Sequence, residues 1–146
     1  MMRKRAPLAL MEQMVMLLVF ALAAALCLQA FAKSDGLSRE SETRDRAAAA
    51  CQNAAEAVRW AGGDLERAAE RLGVPYGAYP EEPGLCVHYS GDWTLSDTRD
   101  YAYCLTVRPV DSGVAGLGKA AVAVTEAETL EELFALEIAW QEETDG

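Results

Sequence analysis

Between Leu8 and Ala32 the chain reads LALMEQMVMLLVFALAAALCLQAFA, a run whose only charge is Glu12. The length of such a run bears on what it can be. A helix rises about 1.5 Å per residue, so about 20 apolar residues cross the hydrocarbon core of a bilayer. Gln13 to Ala32 supplies that length by itself. A carboxylate inside a membrane span costs a few kcal/mol even on lenient insertion scales, and such residues usually mark a function. The flanking charges set an orientation. Arg3-Lys4-Arg5 precede the run, whereas only Lys33 follows closely, with Asp35 nearby. The excess of positive charge on the first side puts the N-terminus in the cytoplasm and the rest of the chain outside, in a single pass.

The residues alone leave two other readings of the run open. Ala30-Phe31-Ala32 before Lys33 has the form of a signal-peptidase site, although the apolar stretch is long for the h-region of a cleaved signal. A plain membrane anchor that tolerates Glu12 near the interface is the other. Cys27 follows Leu26 where a lipobox wants Gly or Ala, so it reads as a small apolar residue.

From Lys33 onward there are 10 basic and 22 acidic residues. An acidic domain stays soluble and repels phosphate, which argues against direct nucleic-acid binding. Lys33 to Arg46 is polar, with Glu40–Arg44 and Glu42–Arg46 at the i,i+4 spacing of ion pairs on a helix. Ala47, Cys51, Ala54, Val58 and Ala61 then recur at steps of four and three, a narrow stripe of small apolar residues that another element must cover. Gly62-Gly63 ends the pattern. One long helix from about Ala6 to Ala61 follows, with a break at Asp35-Gly36 as the alternative. Asp64 to Leu72 reads as a short second helix capped by Asp64 and Gly73, and a proline-rich connector carries the chain to Gly84.

The remainder alternates with period two: Leu85-Val87-Tyr89, Tyr101-Tyr103-Leu105-Val107, a looser run from Lys119 to Thr125, and Phe134-Leu136-Ile138-Trp140. Thr129 with Glu132 could cap a last helix instead, but the clean alternation after them favours a strand. The expected fold is α+β, with a small antiparallel sheet of about four strands packed on the outer half of the long helix. In residues, 1–7 form a basic leader, 8–32 the transmembrane half of the helix, 33–61 its outer half, and 62–146 a globular head that makes one ectodomain with 33–61.

Cys86 and Cys104 fall on the same alternation face of adjacent strands. Pairing about a midpoint near Leu95 would set them opposite each other, which makes them a candidate disulfide in an oxidising compartment. No Cys-x-x-Cys pair is present, and one histidine with dispersed cysteines gives no zinc set, so neither metal nor cofactor is expected. Cys86 and His88 share a strand face, but a thiol–imidazole pair lacks the orienting third group that nucleophilic catalysis needs. No general acid–base pair stands out among the acidic residues, and no catalytic residue is assigned.

The basic residues Arg3-Lys4-Arg5, the junction Pro7-Leu8, Glu12 and the long apolar helix together resemble the N-terminus of type IV pilins and pseudopilins. The resemblance extends over the first third of the chain. It implies a bacterial prepilin leader that a prepilin peptidase removes, with Leu8 as the first mature residue. Glu12, then the fifth, takes the family's role of pairing with the N-terminal amine of a neighbouring subunit. It implies as partners other pilin-like subunits, a filament assembly platform and the cytoplasmic membrane. It also implies a long helix whose distal half supports a globular head. Pro7 stands where the family's leader usually ends in Gly or Ala, which leans towards a minor subunit. The expected function is non-enzymatic: a structural subunit of an envelope filament or secretion-type pseudopilus. A membrane-anchored or secreted binding module is the alternative.

Overall fold

The computed structural model describes residues 6–77, 84–96 and 100–142. Arg3-Lys4-Arg5, Pro80 and Pro83 of the connector, and the last four residues lie outside these. Helix α1 runs Ala6–Trp60, so Asp35 and Gly36 are helical and the alternative of a break there falls. It is followed by α2 at Leu65–Leu72, then β1 at Leu85–Tyr89, β2 at Tyr103–Val110, β3 at Leu117–Glu126 and β4 at Glu132–Gln141. The fold is α+β, as its patterning predicts.

Two compact units divide the chain, Met1–Ser41 and Glu42–Gly146. In the first, every described residue from Pro7 to Ser41 is exposed, including Leu8, Met14, Leu18, Phe20 and Phe31. This part of α1 is long and apolar enough to cross a membrane. Past the apolar run, Arg39 pairs with Asp35 one turn earlier at 3.1 Å, both largely exposed.

In the second unit the sheet is an antiparallel meander in the order β1-β2-β3-β4. Its core face carries Leu85, Val87, Leu105, Val107, Ala120, Val122, Val124 and Ile138, and the last turns of α1 pack against that face. The stripe expected from the sequence is the packing face: Ala47, Cys51, Ala54, Val58 and Ala61 are all at most 5% exposed. Small residues there let the helix backbone lie close to the sheet. Cys51 Sγ approaches the Phe134 carbonyl at 3.9 Å, and Arg59 Nε donates to the Ala139 carbonyl at 3.3 Å. Burial, with Glu132 adding to it, pushes the Cys51 thiol up to about 11, so it stays protonated.

Glu42 and Arg46 form the expected pair at 2.8 Å. Asp64 caps α2 by accepting from the amides of Glu66 and Arg67, and Gly73 closes it in the left-handed conformation at φ 70°. The alternative helix at Thr129 does not form. Thr129 Oγ1 instead donates to Glu126 Oε2 and accepts from the Glu131 amide, which ties off the β3–β4 turn.

Trp140 of β4 lies against two glycines. A Cβ on either Gly63 or Gly118 would collide with its indole ring. Gly63 also has φ 90°, so both space and backbone conformation require glycine there.

Candidate functional site

Glu12 lies on α1 among Met11, Met14, Val15 and Met16, all exposed. Pro7 and Leu8 belong to the first turn of the same helix, where proline is tolerated because its missing N–H has no helical partner to lose. The processing junction and the assembly residue expected from the sequence are therefore four to five residues apart on one helix. The structure leaves this carboxylate as the one charge in the exposed apolar run.

The second site is in the head. Cys86 and His88 are two apart on β1 and so share a face, turned away from Leu85 and Val87 of the core. All three side chains of the cluster are nearly inaccessible: Cys86 is 7% exposed, His88 6% and Cys104 9%. Cys86 Sγ is 3.3 Å from His88 Nε2 and 3.1 Å from Cys104 Sγ. The three ligating atoms all lie within 4.8 Å of one another. Tyr101 stacks on the His88 ring, with centroids 3.7 Å apart and planes 13° from parallel, which fixes the direction of the imidazole.

This corrects one sequence expectation and bears on a second. The first concerns register. Cys86 pairs with Thr106, and Cys104 with His88, so the two cysteines are diagonal rather than opposite. The cause is the path taken between the strands. The Ser96 amide bonds the His88 carbonyl and the Ala102 amide bonds the Tyr89 carbonyl. Consecutive carbonyls of a strand point to opposite edges. The connection therefore first turns back along the outer edge of β1, with Tyr89 bridged to Leu95, and only later joins the ladder on the inner edge. A midpoint rule assumes one simple hairpin and fails here. The displacement is two residues, an even number, so both cysteines keep the face the alternation assigned them.

A tight local turn holds this path. The Ser90 amide bonds the Thr94 carbonyl, and the Trp93 amide bonds the Ser90 carbonyl. Hydroxyl bonds from Ser90, and then Thr94, to the Asp92 carboxylate hold that acid below its usual range. Trp93 adopts a positive φ of 65° and stacks on Tyr103 of β2 at 4.2 Å.

The second concerns the metal set. The cysteines are dispersed in sequence, but Cys104 faces His88 across the ladder and so joins the Cys86-x-His88 pair. Two sulfurs and a nitrogen form a soft donor set that could hold a d10 cation. The signal that could have found it was Cys-x-His on one strand with a cysteine of matching parity on the next.

Comparison of the chain with protein-family models, with curated proteins and with solved structures found no match.

Proposed function

We propose that this protein is a pilin-like structural subunit, of the minor kind, in an envelope filament or secretion-type pseudopilus. Glu12 carries the reading. A lone carboxylate near the start of an otherwise uncharged helical run is costly in lipid, so it is retained for a partner that neutralises it. In this reading the partner is the free amine of a neighbouring subunit's Leu8, created when a prepilin peptidase cuts after Pro7. The N-terminus faces the cytoplasm and the acidic head lies outside. The head's role is structural and requires neither catalysis nor nucleic acid. An exposed apolar helical segment followed by a helix-backed sheet suits a subunit held in a bundle of like helices.

Intact mass and N-terminal sequencing of the native protein are expected to give a start at Leu8. A start at Lys33 would instead identify a signal peptide and end the filament reading. The companion test is Glu12→Ala, together with Glu12→Gln, which keeps the shape and removes the charge. Both are expected to insert in the membrane with an unchanged head, yet to be lost from sheared filaments or from cross-linked complexes with other subunits. Parent-like assembly of both variants would leave the anchored binding module as the better account.

A further inference from the structure

The geometry points to a metal site in the head, formed by Cys86, His88 and Cys104 and suited to a borderline-soft d10 dication such as zinc. Placement of the strands is the first argument. Diagonal neighbours in an antiparallel ladder lie roughly 7–8 Å apart, somewhat less between their Cβ atoms, whereas a disulfide prefers Cβ atoms about 3.5–4.5 Å apart. Cys86 and Cys104 are such a diagonal pair, and both are free thiols with their sulfurs 3.1 Å apart, well outside the roughly 2.03–2.05 Å of an S–S bond. An ion between the sulfurs spans the longer separation. With zinc–sulfur bonds of about 2.3 Å, a tetrahedral centre sets its sulfurs about 3.8 Å apart. The observed 3.1 Å reaches that by small side-chain rotations that open the pair.

The third donor is placed by the same ladder. His88 is directly opposite Cys104 and two residues from Cys86, so the three side chains converge from two strands onto one point. Stacking on Tyr101 holds the imidazole with Nε2 towards the sulfur of Cys86.

Charge is the third argument. Two thiolates and one neutral imidazole cancel a dication, so the occupied site carries no net charge into a region less than a tenth exposed. Binding is balanced as two thiols and the dication giving a bis-thiolate complex and two protons, with no change of oxidation state.

A cavity of about 30 Å³ adjoins the cluster, lined in part by Cys86, His88, Leu95 and Ser96. It has room for a water molecule, the ordinary fourth ligand where a protein supplies three. A site of this kind would clamp β1 to β2 beside the turn that reverses the chain.

The test uses the full chain in detergent, reduced, stripped with a chelator and desalted, with cobalt(II) and zinc(II) as probes. One equivalent of cobalt(II) is expected, with thiolate-to-cobalt charge-transfer absorption that zinc(II) abolishes. Cys27→Ser and Cys51→Ser should keep that equivalent. Cys86→Ser, Cys104→Ser and His88→Gln should each weaken binding by more than the roughly 10–100-fold that outer-shell changes cost. A measurement on the unaltered protein guards against variants that misfold: zinc(II) should slow alkylation of Cys86 and Cys104 and leave Cys27 unaffected. Failure of the reduced protein to take up either ion would overturn the site. So would binding that survives the three substitutions, or a linked Cys86–Cys104 peptide in native protein trapped with alkylating agent at lysis.

Discussion

The two ends of α1 share a backbone conformation and bury nothing alike. From Pro7 to Ser41 the described helix is exposed all round, and its apolar surface sets Leu, Met, Val and Phe among interspersed Ala. From Ala47 to Val58 one face is sealed, and the side chains on it are mostly Ala, with Cys51 and Val58 the largest. Large apolar residues maximise contact with a surround that has no fixed shape. Small ones let a rigid sheet come close and demand that it stay there. Hydrophobicity alone therefore does not say what a helix face meets. Side-chain size and the width of the apolar stripe say it better.

The largest effect is expected when the same charge is put on each part of the helix. Cys51→Arg places a guanidinium between α1 and the sheet, beside Phe134, where nothing can solvate it. The expected loss is several kcal/mol, enough to unfold the head, read as collapse of its cooperative melting transition. Leu37→Arg, at a position 57% exposed in the polar part of the first unit, should move the same transition by no more than about 0.5 kcal/mol. Equal effects from the two substitutions would show that the stripe does not face the sheet.

Much of this was legible because each signal was local. The stripe from Ala47 to Ala61 needs only a period, the α2 caps at Asp64 and Gly73 need only their own residues, and the four strands need only alternation. Strand ends were less visible. β2 begins at Tyr103, not Tyr101, because Tyr101 leaves the ladder to stack on His88, and it continues through Pro109, which pairs with Ala120. The register of β1 on β2 was not legible at all, since it depends on a connection that first folds along the wrong edge of β1. The Cys86–His88–Cys104 cluster shared that blindness. Its parity could be read, but which residue faces which could not. Glu12 is the opposite case. Its place as the single charge in an apolar run is read from the sequence alone, wherever the run is placed.

A subtler probe of the close helix–sheet approach is Trp140, whose ring fills the space left by the missing Cβ atoms of Gly63 and Gly118. Gly118→Ala keeps an ordinary strand conformation, so its cost reports space alone. The added methyl forces the indole off its seat, and overpacking of this kind costs about 1–3 kcal/mol. In a head of about 100 residues that lowers the melting temperature by several degrees. Trp140→Leu in the same background should recover part of the loss by making room. If Gly118→Ala melts with the parent, the ring moves freely and the corner where α1 ends is not tightly packed.

The smallest expected effect belongs to the polar residues just before the stripe. Glu42 and Arg46 are joined at 2.8 Å with about half or more of each side chain in water. Pairs of this kind on a helix surface contribute about 0.3–0.5 kcal/mol, because solvent screens the attraction and ordering two long side chains offsets part of it. Arg46→Ala is therefore expected to lower the melting temperature by a few degrees at most. That difference should shrink as salt is raised and the Debye length falls from about 10 Å at 0.1 M to about 3 Å at 1 M. The next residue, Ala47, is fully buried, so this position marks where the helix passes from solvated to covered. A loss above 1 kcal/mol that persists in high salt would mean that the Arg46 stem packs on the head. The covered face would then begin one residue earlier, with the boundary between the two kinds of helix surface set by packing rather than by charge.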